Sequence, residues 1–260
     1  MFEEFKNKVL FVTGAASGMG RAVAIRFGSL GCKVAVAARR PDAGEETVRL
    51  VKEAGGDAIF VRCDVADDAS VKAAIDATVD AFGSLDYAFN NAGCGADGVH
   101  IPFVPLTEVT EGDWDKVIDT NLKGVFHCLK YELIQMQKQG KGGAIVNTSS
   151  IGGLEMAPMF GAYGPSKAAV IAITQTAAVE NAKAGIRINA ICPGPTEGTN
   201  LMADSVAAGS QDTEFLKAHV IPMGKLCTTK DVADSVVYLC SDLAGLVTGT
   251  ALPVCGGMQM

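Results

Sequence analysis

The stretch KVLFVTGAASGMG, residues 8–20, contains the transition that decides the fold. Its first half is a short apolar run, which predicts a buried strand. Its second half holds Gly14, Gly18 and Gly20 and leads into an amphipathic stretch that ends at Gly31. Glycine tolerates backbone conformations that other residues avoid, so three glycines at this point suit a sharp turn. The segment therefore predicts a strand, a tight turn and a helix.

The same alternation of short apolar runs and amphipathic stretches continues to the end of the chain. It predicts seven strands, at residues 8–14, 33–39, 57–65, 85–93, 142–150, 185–194 and 248–257. It predicts helices at residues 19–31, 45–56, 68–83, 114–137, 162–184 and 231–242. Strands that alternate with helices indicate βαβ units and hence a parallel sheet with helices on both faces.

The pattern runs without a linker or a change of composition, so we expect a single α/β domain over residues 1–260. The least regular part is residues 196–228, which is rich in small and polar residues. An irregular segment of this length inside a compact domain is often functional. We therefore expect residues 196–228 to form a mobile substrate-binding lobe within the domain.

Composition excludes several classes of protein. Hydrophobic residues make up 48% of the chain and charged residues 20%, as in soluble globular proteins. The formal net charge of −7 argues against binding to nucleic acid or to an anionic membrane surface. The N-terminal residues MFEEFKNKVLFV carry two early acids and no long apolar run, so we expect neither a signal peptide nor a membrane span. These features predict a cytoplasmic protein.

The cysteines and histidines are scattered. None of the 8 Cys forms a C-x-x-C pair, and several lie inside apolar runs such as INAICPG. This placement predicts buried free thiols rather than disulfides. With only 3 His, also far apart in sequence, a zinc site is not expected.

The glycine turn lies where a phosphate-binding loop would have to lie. It follows the first strand and opens the first helix, whose N-terminal N–H groups can bind a pyrophosphate. The alternative is a turn that only allows close packing of strand and helix. The remaining motifs favour binding of a dinucleotide.

Further motifs follow in a fixed order along the chain. After TGAASGMG come NNAG at 90–93, NLKG at 121–124, IVNTSS at 145–150, YGPSK at 163–167 and a Pro-Gly pair at 193–194. As an ordered set over nearly the whole chain, they resemble the short-chain dehydrogenase/reductase family, in the type with an Asn-Ser-Tyr-Lys tetrad. The resemblance implies a Rossmann-type, doubly wound, seven-stranded parallel sheet. It also implies hydride transfer between a nicotinamide cofactor and an alcohol or ketone.

A physical argument that does not use the family leads to the same site. Ligands of an open parallel sheet bind beyond the carboxyl ends of its strands. The glycine turn, Asp64, NNAG, the serines of IVNTSS and the Pro-Gly pair each follow a predicted strand. We therefore expect these segments to meet at one crevice.

The resemblance assigns the catalytic roles to Asn121, Ser150, Tyr163 and Lys167. A free tyrosine has a pKa near 10, and a lysine ammonium one helical turn away would favour the phenolate. A helix N-terminus at Tyr163 would act in the same direction. Ser150, thirteen residues before Tyr163 as in the family, is preferred to Ser149, which is expected to be structural. In the family, the Asn kinks its helix and holds a water in a proton relay with the Lys.

The residues at the end of the second predicted strand indicate which cofactor the protein binds. NAD enzymes usually carry an acid there, whereas this chain has Ala38 followed by Arg39 and Arg40. Because a guanidinium suits a 2′-phosphate, NADP(H) is favoured over NAD(H), and Asp42 keeps NAD(H) open. The resemblance implies further cofactor contacts from Gly14, Ser17, Gly18, Met19, Gly20, Asp64, Val65, Asn91, Ala92, Gly93, Tyr163, Lys167, Pro193, Gly194, Thr196 and Thr199. Of these, Asp64 resembles the family residue that binds the adenine amino group.

The chain departs from the family pattern in two places. Gly198 stands where the family often has a Thr that contacts the nicotinamide, so Thr196 or Thr199 is expected to replace it. Cys255, in VCGG, stands where the family often has Asp. The second departure bears on subunit contacts rather than on chemistry.

Apolar residues near the strand ends suggest the substrate. The expected lining residues are Cys94, Gly152, Leu154, Met156, Met159, Phe160, Leu201 and Met202, with Phe215 and Met223 from the lobe. Because methionine adapts to irregular ligands, this set predicts a bulky apolar ketone or secondary alcohol, such as a cyclic or steroid-like one.

The resemblance implies a homotetramer, in which Met258 and Met260 could reach a neighbouring subunit's pocket.

Two alternatives remain open from the sequence. One is a 3-oxoacyl-carrier-protein reductase, which would need a basic patch for its acidic partner. The other is a dinucleotide-binding regulator without catalysis, which would need a broken Ser-Tyr-Lys set.

Overall fold

The computed structural model describes residues 3–94, 104–202 and 212–258. Within these ranges the chain forms a seven-stranded, fully parallel sheet in the order β3-β2-β1-β4-β5-β6-β9. Its strands are β1 Val9–Thr13, β2 Lys33–Ala38, β3 Asp57–Arg62, β4 Tyr87–Asn90, β5 Gly143–Thr148, β6 Ile186–Pro193 and β9 Ala251–Val254. All seven strands expected from the sequence are present, and the prediction of an α/β parallel sheet is confirmed.

A second, two-stranded sheet was not expected. Strand β7, Thr196–Glu197, pairs in parallel with β8, Cys227–Thr228. Both strands lie within the segment predicted as a mobile lobe, which therefore begins and ends in regular structure. Residues 203–211 of that segment lie outside the described residues, and its mobility stays a prediction.

The helices follow the order expected from the sequence, but the described residues contain more of them than the six expected, and their ends differ. The longer ones are α1 Gly18–Gly28, α2 Pro41–Glu53, α3 Asp68–Phe82, α4 Glu111–Ile118, α5 Gly124–Gln139, α7 Tyr163–Asn181 and α9 Thr229–Cys240. Two short ones were not expected: α6 Ile151–Leu154 and α8 Thr213–Phe215. The latter continues into a π-helical turn, Leu216–Val220.

The single helix expected over residues 114–137 is in fact two. A π-helical turn, Asp119–Lys123, joins α4 to α5 and contains the buried Asn121. π-turns inside helices occur frequently at functional sites. The irregularity expected at Asn121 is therefore present, in the form of a wider helical turn.

The strand order creates a crevice at one edge of the sheet. From β1 the chain moves outward through β2 and β3, then returns to the other side of β1 to build β4, β5 and β6. The connections that follow β1 and β4 run in opposite directions, so a space opens between these two connections beyond the strand ends. The glycine turn, Asp64, NNAG, the serines of IVNTSS and the Pro-Gly pair lie at or just after the carboxyl ends of strands at this edge.

The core consists of two apolar layers, one on each face of the sheet. Leu10 and Val12 of β1 pack into one layer with Phe27 of α1 and Val236 of α9. Phe11, which points to the opposite face, packs into the other layer with residues of α3, α5 and α7. Since both faces are covered, β1 is buried along its whole length.

The structure also bears on the expectations about disulfides, metal sites and membrane spans. All eight cysteines are buried and free, as predicted. In the described ranges, no cluster of His, Cys, Asp and Glu is arranged to hold a metal ion. The described helices include none that combines the length and the apolarity needed to cross a bilayer.

A buried carboxyl group lies behind the crevice. Glu132 of α5 is fully buried, and its Oε2 accepts a hydrogen bond of 2.9 Å from Asn90 Nδ2. The same nitrogen donates to Asn147 Oδ1 at 2.9 Å, across the paired strands β4 and β5. Burial raises the pKa of Glu132 to about 8, and the hydrogen bond from Asn90 only partly offsets this effect.

We expect Glu132→Gln to remove a pH dependence from the stability of the fold. Between the ordinary pKa of 4.5 and the folded value of about 8, the folded protein holds a proton that the unfolded chain releases. Wild-type stability should therefore fall as pH rises through this window, by up to about 1.4 kcal/mol per pH unit. The glutamine does not titrate, and its oxygen can still accept from Asn90. Urea unfolding at several pH values between 5 and 8 measures both slopes.

The matched control is Glu180→Gln, which changes an exposed carboxylate on α7. This variant should keep the wild-type slope. If Glu132→Gln keeps it as well, Glu132 is ionised in the folded protein and the assignment of a raised pKa is wrong.

Candidate active site

The glycine turn leaves no room for side chains. Gly14 and Gly18 have φ of +64° and +54°, a region that favours glycine. A Cβ on Gly20 would lie 2.5 Å from the carbonyl oxygen of Gly14. The first turn of α1 therefore packs directly on the end of β1. Ser17 makes no side-chain capping bond to this helix, so the first N–H groups of α1 have no cap from Ser17, and Ser17, Gly18 and Met19 line the main cavity.

Thr13, the last residue of β1, joins the glycine turn to the loop after β4. Its hydroxyl oxygen accepts hydrogen bonds from the backbone N–H groups of Asn91 at 3.0 Å and Ala92 at 3.1 Å. The side-chain nitrogen of Asn91 donates back to the Thr13 carbonyl oxygen at 3.3 Å. The two strand ends are thus held together at the point where strand order reverses. Sequence reasoning missed Thr13, although it precedes Gly14 in the motif.

A small pocket lies at the ends of β2 and β3. It contains the predicted Arg39, Asp64, Val65, Ala92 and Gly93. Arg40 precedes the first turn of α2, and both arginines are exposed. Gly14, Ala38, Cys63 and Thr120 complete the lining.

The main cavity, of about 250 Å³, lies beyond the ends of β4, β5 and β6. Ser150, Tyr163 and Lys167 all line it. The predicted cofactor residues that line it are Gly14, Ser17, Gly18, Met19, Asn91, Gly93, Pro193, Gly194, Thr196 and Thr199. Gly20 is not in the lining because it packs against Gly14 beneath the turn.

Ser150 and Tyr163 face each other across the start of α6 and α7. The Ser150 hydroxyl oxygen accepts a hydrogen bond of 3.1 Å from the N–H of Gly152, which caps α6. Burial raises the pKa of the Tyr163 phenol, and a hydrogen bond with Ser150 lowers it in part. The direction is opposite to the sequence expectation, because removal from water outweighs the other contributions.

Lys167 lies behind the tyrosine. Its Nζ donates a hydrogen bond of 2.9 Å to the carbonyl oxygen of Thr148 and lies 5.8 Å from the centre of the Tyr163 ring. Burial lowers the pKa of Lys167 to about 8. Ser149, next to the candidate Ser150, donates at 2.8 Å to the carbonyl oxygen of Lys167, which agrees with the structural role expected for it.

Asn121 connects the loop after β4 to the first turn of α7. Its Oδ1 accepts a hydrogen bond of 2.8 Å from the N–H of Cys94. Its Nδ2 donates at 3.1 Å to the Ser166 hydroxyl, which in turn donates at 2.7 Å to the Tyr163 carbonyl oxygen. The Asn121 side chain therefore holds the backbone on both sides of the cavity rather than lining it.

The predicted substrate residues divide into two groups. The cavity is lined by Cys94, Gly152, Phe160, Leu201 and Met202. It is not lined by Leu154, Met156, Met159, Phe215 or Met223, whose side chains are about half exposed. The first three belong to the same segment as the lining residues Gly152, Ala157 and Phe160, but their own side chains are exposed at the surface. Met156, for example, packs over Gly164 instead.

The C-terminal segment contributes to the cavity of its own chain. Met258 lines it and packs beside Met202, Leu216 and Ile221. The turn after β9 thus brings Met258 to the cavity of its own chain, and a contact of Met258 with a neighbouring subunit stays a prediction. Met260 lies outside the described residues.

Sequence reasoning missed several lining residues. These are Thr148, Ile151, Ala157, Pro195, Asn200, Leu216 and Met258. Thr148 and Pro195 adjoin motifs at strand ends and could have been found from that position. Leu216 and Met258 carry no comparable signal, because tertiary packing alone brings them to the site.

The residues present fit an elongated dinucleotide. Gly14 and Gly93 line both the small pocket and the main cavity, so the two form one trough that runs from the end of β2 to Tyr163. The buried Asn91 Oδ1 and Thr148 Oγ1 have no hydrogen-bond partner among the described residues. Both residues line the main cavity, which suits polar contacts with a bound molecule.

Comparison with known proteins agrees with this geometry. A family model described as enoyl-(acyl carrier protein) reductase matches residues 14–259. The chain is 41% identical to an uncharacterized oxidoreductase of Thermotoga maritima, over 97% of this chain and 98% of that one. It is 37% identical to a 2,5-dichloro-2,5-cyclohexadiene-1,4-diol dehydrogenase of Sphingobium indicum, over 98% of both chains. It is 39% identical to the 3-oxoacyl-[acyl-carrier-protein] reductase FabG of Staphylococcus aureus, over 98% and 99%.

Solved structures show the same fold over the same length. Levodione reductase superposes with a TM-score of 0.90 at 32% identity, covering 97% of each chain. NAD+-bound xylitol dehydrogenase superposes with a TM-score of 0.90 at 33% identity, covering 98% of this chain and all of that one. Because these matches extend over the sheet, the glycine turn and the residues around Tyr163, the chain belongs to the short-chain dehydrogenase/reductase family.

Proposed function

We propose that this oxidoreductase transfers a hydride between a nicotinamide cofactor and a small apolar ketone or secondary alcohol. The observation that carries the proposal is the cavity that Ser150, Tyr163 and Lys167 line together with apolar side chains, among them Phe160, Leu201 and Met202. A reacting oxygen within reach of Ser150 and Tyr163 would place the rest of the substrate against that apolar wall. The complete Ser-Tyr-Lys set disfavours a regulator without catalysis.

The residues divide the chemistry between them. The nicotinamide, when bound, supplies the hydride to the carbonyl carbon in reduction or accepts it in oxidation. In reduction, the Tyr163 phenol gives its proton to the carbonyl oxygen, while the Ser150 hydroxyl donates a hydrogen bond to the same oxygen. Since burial raises the pKa of Tyr163, the phenol is protonated at neutral pH and ready to donate. In oxidation, the phenol oxygen of Tyr163 must first lose its own proton and then accept the proton of the substrate alcohol.

Lys167 and Asn121 support the proton donor. The Lys167 ammonium, held by the Thr148 carbonyl, stabilises the phenolate that remains after proton transfer. By resemblance, it also binds the nicotinamide ribose. Asn121 keeps the first turn of α7, and with it Tyr163, in position through Ser166.

The size and polarity of the cavity favour a compact cyclic substrate. Its volume of about 250 Å³ is below the range of about 300–1,000 Å³ that is usual for drug-sized ligands. The nicotinamide end of the cofactor must share this space, which favours one ring over a steroid. The name of the cyclohexadiene-diol dehydrogenase, 37% identical to this chain, supports a ring-bearing alcohol.

NADP(H) remains the preferred cofactor. Arg39 lines the small pocket at the end of β2, where Ala38 takes the place of the acid typical of NAD enzymes. An exposed guanidinium at this point can bind a 2′-phosphate. NAD(H) is the alternative, supported by the NAD+-bound xylitol dehydrogenase among the similar structures.

Assembly as a homotetramer in the cytoplasm completes the proposal. Phe126 and Ile134 on α5 and Val179 on α7 are large apolar side chains with at least 47% exposure, which suits burial between subunits. Eight buried free thiols suit a reducing compartment.

A second candidate is reduction of a 3-oxoacyl group on an acyl carrier protein, which the 39% identity to FabG of Staphylococcus aureus supports. An acidic carrier protein would require a basic rim at the entrance. The net charge of −7 disfavours such a rim.

Replacement of Tyr163 by Phe tests the reaction. Removal of the proton donor should lower kcat by about a hundredfold or more, with cofactor affinity nearly unchanged. Turnover of one-ring ketones, steroid ketones and a 3-oxoacyl carrier protein is followed by the absorbance of the reduced cofactor. Tyr238→Phe, which changes a 40% exposed tyrosine on α9, should retain full activity. Wild-type turnover of none of these substrates, or full activity of Tyr163→Phe, would contradict the proposal.

Replacement of Arg39 by Ala tests the cofactor preference. Loss of a charge-assisted contact to the 2′-phosphate should weaken NADPH binding by about tenfold or more and leave NADH binding unchanged. Arg49→Ala, which changes an exposed arginine paired with glutamates on α2, serves as the control and should alter neither affinity. Equal effects of Arg39→Ala on the two cofactors, or a wild-type preference for NADH, would overturn the assignment.

A further inference from the structure

His127 has a buried contact that the proposed reaction does not use. It lies on α5, six residues after Asn121, with 5% of its surface exposed. Its Nδ1 lies 2.9 Å from the carbonyl oxygen of Val65. A carbonyl oxygen can only accept, so the Nδ1 atom carries the proton and donates it.

Val65 belongs to the turn after β3 that lines the small pocket together with Asp64. The N–H of Ala66, on the same peptide unit as the Val65 carbonyl, donates to Asp64 Oδ1 at 3.1 Å. The C=O and N–H of a trans peptide point in opposite directions. One rigid peptide unit therefore connects His127 on one side to the Asp64 carboxylate on the other.

The packing beside this connection is close. A Cβ on Gly124, one turn before His127, would lie 2.7 Å from Val65 Cγ2, so the Val65 side chain fills the space that this glycine leaves. One turn further along α5, Lys130 Nζ contacts Asp68 Oδ1 at 3.0 Å, at the start of α3. Helix α5 thus holds the turn from Asp64 to Asp68 at three successive points.

We propose that His127 is a positioning residue for the purine end of the dinucleotide, which orients the Asp64 carboxylate through the Val65–Ala66 peptide. The inference rests on the proposed function and on the role that the family resemblance implies for Asp64, which is to accept a hydrogen bond from the 6-amino group of adenine. Rotation of the peptide would carry the carboxylate away from the amino group. His127 therefore governs discrimination between adenine and a purine that lacks this group.

The test compares binding of AMP with binding of IMP, which has an oxygen in place of the 6-amino group, by calorimetry. Wild type should bind AMP more tightly, because a carboxylate accepts from the amino group and is repelled by the oxygen. His127→Phe keeps a ring but removes the donor, and should reduce the AMP-to-IMP preference by about tenfold. Asparagine places an amide N–H near the position of Nδ1, so His127→Asn should restore most of the preference.

Two further measurements separate positioning from a general loss of structure. Asp64→Asn should reduce the preference as His127→Phe does, and the double variant should show no additional loss. His219→Phe, which changes a histidine packed on Phe215 in the lobe, should leave the preference unchanged.

The outcomes distinguish this inference from the function on which it rests. If wild type prefers AMP and His127→Phe retains that preference, His127 does not position Asp64 and the inference is wrong. It is also wrong if His127→Phe weakens AMP and IMP equally while the urea midpoint falls. If wild type binds neither AMP nor NADPH, the proposed function fails and the inference fails with it.

Discussion

The hydroxyl of Thr13 accepts hydrogen bonds from the two backbone N–H groups that follow β4, and the geometry of the whole site depends on this junction. It holds the ends of β1 and β4 together where the strand order reverses. The glycine turn can then pass so close to Ala92 that a Cβ on Gly14 would lie 2.9 Å from the Ala92 Cα. A side chain at Gly14 or Gly20 would push the two strand ends apart and open the trough between the small pocket and the main cavity.

Burial shifts the pKa values of titratable side chains both in the cavity and in the core behind it. It raises the pKa of Tyr163 and lowers that of Lys167, so that each moves toward its uncharged form. The same effect acts on Glu132 behind the site. Its partner Asn90, which also donates to Asn147, directly precedes Asn91 in sequence, and Asn147 directly precedes Thr148. A neutral polar network in the core therefore supports the backbone that carries the reacting groups.

Much of the architecture could be predicted because its signals are local. Each strand of the large sheet is a short, largely apolar run, and the inner strands β1 and β4 are buried along their whole length. The glycine turn directly follows the first of these runs. The π-turn at Asp119–Lys123 could not be predicted, since it depends on the contacts of Asn121 with Cys94 and Ser166, which are distant in sequence. The predicted direction of the Tyr163 pKa shift was wrong for a similar reason. The proximity of Tyr163 to Lys167 can be inferred from their spacing in the sequence, whereas the burial of the phenol cannot.

The amino-acid sequence by itself determined the parallel α/β sheet, the family and the set of motifs that meet at one edge, because periodicity and strand-end position are properties of neighbouring residues. Only the tertiary structure decided which apolar side chains face the cavity. It excluded Leu154, Met156 and Met159, whose side chains are exposed although Ala157 and Phe160 of the same segment line the cavity. It added Leu216 and Met258, which reach the cavity from separate segments. The contact between His127 and Val65 is likewise a product of tertiary structure, because it joins helix α5 to the turn after β3 and has no signal in the local sequence.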